Sequence, residues 1–134
     1  MISGGCLCNA VRFEVRGPLG PVRYCHCSRC RRATGTAFSA NSRVLSDDFS
    51  VTSGKDRITE YEMASGVFRG FCSRCGSPIY ARLETEPAYL RVRLGTLEGD
   101  PGVRPIGHVW VDSKAPWFEI SDSLPQADGP SSER

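Results

Sequence analysis

Seven cysteines at short, repeated spacings carry most of the chemistry legible in this sequence. Cys6 and Cys8 form a C-x-C. Cys25, Cys27 and Cys30 form a C-x-C-x-x-C, and Cys72 and Cys75 a C-x-x-C followed by Gly76. Two thiolates two residues apart can grip one metal ion, and a glycine after the second relieves the turn. Zinc takes four tetrahedral ligands, so one knuckle needs a second pair from elsewhere in the chain. Seven thiols divide as four plus three. Four close a structural site, whereas three leave a position open for water or substrate, which is the layout of a catalytic zinc. Spacing alone leaves the partition open: Cys6 and Cys8 can join Cys72 and Cys75, or two of the middle three. Buried apolar cysteines do not cluster in this way, and a thioredoxin-like redox pair lacks its βαβ setting. An odd number excludes a fully paired disulfide framework within one chain.

The elements that must position these thiols read as strands. Val11–Arg16, Ile79–Leu83 and Tyr89–Leu94 alternate apolar with polar residues, as half-buried strands do. Ala37–Leu45, Phe49–Thr52, Arg57–Glu62, Val67–Phe71, His108–Val111 and Trp117–Ile120 are further strand candidates. No stretch of about 12 residues carries a helical stripe; one helical turn fits after Cys30, stopped by Gly35. With 14 glycines and 9 prolines supplying turns, the class is all-β. Residues 1–124 read as a single domain, and the polar, proline-punctuated residues 125–134 as a disordered tail.

Composition excludes several functions. Of 134 residues, 40% are hydrophobic and 24% charged, as in an ordinary globular chain. Net charge of +2 is too small for a nucleic-acid footprint. No apolar run approaches the roughly 20 residues that span a bilayer, and no secretory leader is recognisable. The expectations are a cytoplasmic protein with neither nucleic acid nor membrane as partner.

Four separated motifs in order resemble one family. Gly4-Gly5-Cys6-Leu7-Cys8-Asn9-Ala10-Val11-Arg12-Phe13, Tyr24–Gly35 around the cysteine trio, Phe71–Tyr80 around the knuckle, and His108–Trp117 are similar to signatures of the glutathione-dependent formaldehyde-activating enzymes, which also include centromere protein V. The resemblance runs from about Ser3 to Leu124. It implies a β-tent fold of antiparallel sheets stapled by zinc. It also implies a partition: Cys6, Cys8, Cys72 and Cys75 on a structural zinc, and Cys25, Cys27 and Cys30 as catalytic residues on a second, open zinc. Two Zn²⁺ per chain are expected. The implied activity is that of a carbon–sulfur lyase, an S-(hydroxymethyl)glutathione synthase, with a small-molecule thiol such as glutathione and an aldehyde as partners. Metal coordination would deprotonate the thiol or polarise the aldehyde. A non-catalytic zinc-stabilised binding module and a thiol redox sensor are the alternatives.

Other residues carry competing roles. Arg29, Arg31 and Arg32 could attract carboxylates of glutathione or form a solvated basic turn. His26 lies between two ligands, but alternation turns its side chain to the opposite face. His108 is a proton-transfer candidate or a core histidine. Trp110 and Trp117 could wall a pocket, although aromatic core packing is the more frequent role. Lys114 reads as a loop or salt-bridging lysine, and Arg91 and Arg93 as a solvated strand face.

Overall fold

A computed structural model describes residues 1–130. Ten strands and one short helix follow in order: β1 (Ile2–Gly5), β2 (Arg12–Val15), β3 (Val22–Cys25), α1 (Ser28–Thr34), β4 (Ser39–Leu45), β5 (Phe49–Ser53), β6 (Ile58–Ala64), β7 (Val67–Cys72), β8 (Pro78–Leu83), β9 (Tyr89–Arg93) and β10 (Pro105–Val109). The all-β expectation holds. Strands β1, β2 and β5 make a three-stranded antiparallel sheet in the order β1-β2-β5. The others make a seven-stranded sheet in the order β10-β3-β4-β9-β8-β7-β6. One pair departs from the antiparallel expectation: β10 runs parallel to β3, a pairing that needs a long connection rather than a hairpin. Residues 117–120, read as a strand, form none.

The main core lies between the sheets. Phe13 and Val15 of β2 meet Val44, Ile79 and Val92 of the larger sheet, with Val11 beside them, all buried. Phe13 packs on Phe49 at 5.0 Å between ring centroids, and Phe49 on Tyr80 at 5.9 Å. Fully burying a side chain of this size contributes about 1.5–3 kcal/mol. Cys6 and Cys72 belong to this same cluster, so the first cysteine group is built into one end of the core. A second, aromatic core holds Tyr24, His26, Phe38, His108 and Phe118, with centroid separations of 4.4 to 6.0 Å.

The expected tail is corrected in its first part. Residues 125–129 lie along β10 and the turn after it. His108 N–H donates to Pro125 O, Ala127 N–H to His108 O, and Trp110 N–H to Gly129 O, at 2.9 to 3.0 Å. The backbone groups that β10 does not use on β3 take this segment, which satisfies an edge that would otherwise be open. The rest of the tail, residues 131–134, lies outside the described residues.

Candidate metal centres and the adjoining cavity

Two turns bring the first cysteine group together. After β1 the chain turns at Cys6–Asn9, where Asn9 N–H donates to Cys6 O at 3.1 Å and Asn9 takes the left-handed conformation, φ 62°, which asparagine tolerates better than most residues. Val11 N–H donates to Cys6 Sγ at 3.2 Å. The second turn follows β7. Gly76 N–H donates to Cys72 O at 2.7 Å with φ 79°, a conformation glycine adopts without penalty. Leu7 N–H donates to Ser77 Oγ at 2.9 Å and locks one turn on the other. The sulfurs of Cys6, Cys8, Cys72 and Cys75 all fall within 4.8 Å of one another. Cys6 and Cys8 are 3.6 Å apart, Cys8 and Cys72 3.8 Å. A tetrahedron with metal–sulfur arms of about 2.3 Å has edges of about 3.8 Å, so the donors are spaced for one zinc-sized ion. Burial works against ionising Cys6, but the Val11 N–H and the Cys8 and Cys72 thiols outweigh it and draw its pKa down. Ser77 holds Cys75 down to about 5. Against the Ala10 backbone N–H, burial and the Cys6, Cys75 and Cys72 thiols push Cys8 up to about 11, so the four thiols share charge unequally and the spacing of the donors is what suits a metal.

The second group sits where β3 passes into α1. Cys25 ends the strand, Cys27 caps the helix, and Cys30 lies on its first turn. Cys30 N–H donates to Cys27 Sγ at 3.3 Å, and Arg31 N–H to Cys27 O at 3.0 Å. Residues three apart share a helix face, so Cys27 and Cys30 point together and the strand end adds Cys25. The three sulfurs lie within 4.8 Å of one another. Cys30 is held well below the usual thiol range by Cys25 and Cys27, helped by Ser39 and Arg69, while Cys25 is pushed up by Cys27 and Cys30 and by burial. One thiolate shared among three sulfurs is what clustered like groups impose. Both groups can therefore hold metal ions, and all seven cysteines are free of disulfides.

A cavity of about 330 Å³ opens on Cys25 and Cys30. Its floor is the face of the seven-stranded sheet turned away from the small sheet, and Trp110 and Pro130 are among its walls. Another, more open cleft of about 500 Å³, at Met1, Pro18 and Pro101, touches neither cysteine group.

The remaining candidates are distributed as follows. His26 is fully buried and faces away from the trio, as alternation requires; its Nε2 lies 2.8 Å from Nδ1 of His108. His108 is a core histidine whose Nε2 lies 3.0 Å from Asp122, a partner nothing in the sequence singled out. Arg29 and Arg32 are exposed on α1 and Arg31 is half-buried; none lines the cavity. Neither tryptophan sits in the aromatic core: Trp117 is 72% exposed, whereas Trp110 takes the pocket-wall reading, exposed on the cavity wall in a left-handed conformation, φ 57°. Lys114 donates to the carbonyls of Ala115 and Phe118 and so closes its own loop. Arg93 is not on a solvated face but 5% exposed. Arg23, Arg43 and Arg69, which sequence reasoning passed over, share the cavity with it. Among the described residues no helix is long and apolar enough to cross a membrane.

Comparison with known proteins agrees with this architecture. A Halomonas elongata protein bearing the name glutathione-dependent formaldehyde-activating enzyme is 29% identical over 127 residues, covering 90% of this chain and 81% of its own. Proteins of the same name from Aspergillus flavus and Fusarium vanettenii are 29% and 32% identical over 60% and 63% of this chain. The match spans under half of those fungal proteins, 44% and 48% of their lengths. The crystal structure of a Rhodobacter sphaeroides protein superposes with a TM-score of 0.63 at 29% identity, over 77% of this chain and 91% of that one. Residues 1–113 match the family described as glutathione-dependent formaldehyde-activating enzyme, and the chain belongs to that family.

Proposed function

We propose that this protein is a zinc enzyme of the carbon–sulfur lyase type that joins a thiol such as glutathione to formaldehyde or a similar small aldehyde, giving an S-hydroxymethyl adduct. Cys6, Cys8, Cys72 and Cys75 hold a structural zinc. Cys25, Cys27 and Cys30 hold a second zinc at which the chemistry takes place. The described chain then acts as one zinc-stapled domain, working in the cytoplasm.

The observation that carries the reading is a group of only three clustered sulfurs at the mouth of a cavity. Three protein donors leave one position of a tetrahedral ion for a reactant, whereas the four-sulfur group leaves none. A zinc held there supplies an acidified thiol or a polarised carbonyl. In the reaction the substrate sulfur bonds to the aldehyde carbon, the carbonyl becomes a hydroxyl, and the thiol proton ends on that oxygen. The chain's own residues have plain tasks. Cys27 and Cys30 are fixed by the first turn of α1 and Cys25 by β3. Arg69, with Nη2 3.6 Å from Cys30 Sγ, offsets negative charge on the trio. His26 faces the aromatic core and takes no part in moving the proton.

Zinc per chain, measured on wild type and on a Cys25/Cys27/Cys30 triple alanine variant, tests the assignment. Two ions falling to one, with the fold kept, are expected. The activity is read by NMR exchange between free and adduct formaldehyde in the presence of glutathione, against the uncatalysed background. An exchange rate equal to that background with both zincs bound would remove the enzyme reading.

A further inference from the structure

The cavity beside the trio has an arginine floor laid down by strand register. The strand residues that line it are all odd-numbered, 23 and 25, 41 and 43, 63, 67 and 69, 81 and 83, 91 and 93, and 109, because alternate residues of a strand share a face. Strand pairing then sets arginines side by side. Arg23, Asn41 and Arg93 are direct neighbours across β3, β4 and β9. One step further, Arg43, Arg91, Ala81 and Arg69 align across β4, β9, β8 and β7. Cys25 stands two residues beyond Arg23 on the same face.

The charges of Arg43 and Arg93 on this floor meet no carboxylate among the described residues. Arg91 pairs with Glu86 at 3.0 Å. Two others show neutral neighbours: Arg43 stacks over the Tyr89 ring at 3.6 Å and Arg93 donates to Asn41 Oδ1 at 2.7 Å, whereas Arg69 donates to Met63 Sδ at 2.9 Å and to the acidified Cys30 Sγ at 3.6 Å. Arg43, Arg69, Arg91 and Arg93 each keep one buried N–H without a hydrogen-bond partner. Among the described residues the lining contains no aspartate or glutamate. Like charges are normally kept apart on adjacent strands because direct opposition destabilises the sheet. Guanidiniums withdrawn from water cost free energy unless an anion meets them, and their planar forks suit a carboxylate.

We propose that this cavity selects small thiols that carry a carboxylate, seating the carboxylate on Arg43 and Arg93 and delivering the sulfur to Cys25 and Cys30. The proposal rests on the reading of the trio given above and adds a rule of selection to it. An ammonium group finds no carboxylate in the cavity among the described residues, so the amino end of a larger thiol such as glutathione is left outside it. A simple mercapto acid is sufficient as a ligand, and the carboxylate is the recognised group.

Isothermal titration of the purified zinc-loaded protein with three thiols of similar length tests this: 3-mercaptopropionate, 2-mercaptoethanol and cysteamine. The anionic thiol is expected to bind about tenfold or more tighter than the neutral one, with the cationic thiol weakest. Raising salt should narrow the gap. Arg93→Gln should narrow it too, and Arg43→Gln, at a half-buried position, provides the same comparison should the buried substitution not fold. The wild-type ranking needs no variant at all. Equal binding of all three thiols, dependent on Cys25, Cys27 and Cys30, would overturn the selection rule and leave the proposed reaction standing. Binding of none would overturn both.

Discussion

The imidazoles of His26 and His108, 82 positions apart in sequence, meet at 2.8 Å, Nε2 to Nδ1. Asp122, an acceptor, faces Nε2 of His108 at 3.0 Å, so that nitrogen carries hydrogen and Nδ1 accepts from His26. The pair ties the strand end that bears Cys25 and Cys27 to β10 and, through Asp122, to the segment beyond it. Replacing His108 by leucine leaves the His26 N–H buried and unpaired. A loss of about 1–3 kcal/mol is expected in chemical denaturation; an unchanged midpoint would show that the pair contributes nothing.

The two cysteine groups should differ in what their loss does. Cys75→Ser takes one sulfur from the group that closes the end of the core, where the proposed structural zinc would contribute folding free energy directly. Cys27→Ser touches a group at the cavity mouth. Far-ultraviolet circular dichroism on heating should show Cys75→Ser melting far earlier than wild type and Cys27→Ser close to it. Equal melting of both variants would remove the distinction between a structural and an open site.

Gly76 takes φ 79° in the turn between Cys72 and Ser77, and a Cβ there would meet nothing within 4 Å. Gly76→Ala therefore suffers from conformation and not from collision. The expected cost is about 1–2 kcal/mol, read as a lowered thermal midpoint with zinc content unchanged. A drop in zinc content would mean that the turn sets ligand geometry as well.

Glu60 bridges β6 to β8: Arg82 donates to it at 2.7 and 2.8 Å and Tyr80 at 2.8 Å. Arg82 first, against some burial, holds its carboxyl below the ordinary 4.5. A carboxylate depressed in the folded state stabilises fully above its unfolded pKa. That contribution is lost as pH falls from about 4.5 through the folded value. Glu60→Gln should remove this part of the acid dependence; wild type and variant losing stability in parallel below pH 4.5 would contradict it. The pair is partly exposed, so the effect is small.

Much of this molecule was legible in short stretches of sequence. Alternation identified the all-β class and turned His26 away from Cys25 and Cys27, because which face a strand residue takes is a local property. The C-x-C and C-x-x-C spacings marked pairs able to grip a metal for the same reason. Tertiary structure decided what lies far apart in sequence. Spacing left open which cysteines share a site; the fold groups Cys6 and Cys8 with Cys72 and Cys75 by locking the turn at Leu7 onto Ser77. Period two placed Arg91 and Arg93 on one face and could not say what covers that face. Strand order answers it: β4 and β9 are neighbours although four strands intervene in sequence. Their register lines arginines from distant segments along a cavity floor. Residues 125–129 look like a tail by composition, yet they supply hydrogen bonds that β10 needs at its edge. Local backbone preference is written residue by residue, whereas the pairing of strands depends on contacts that exist only once the chain has closed on itself.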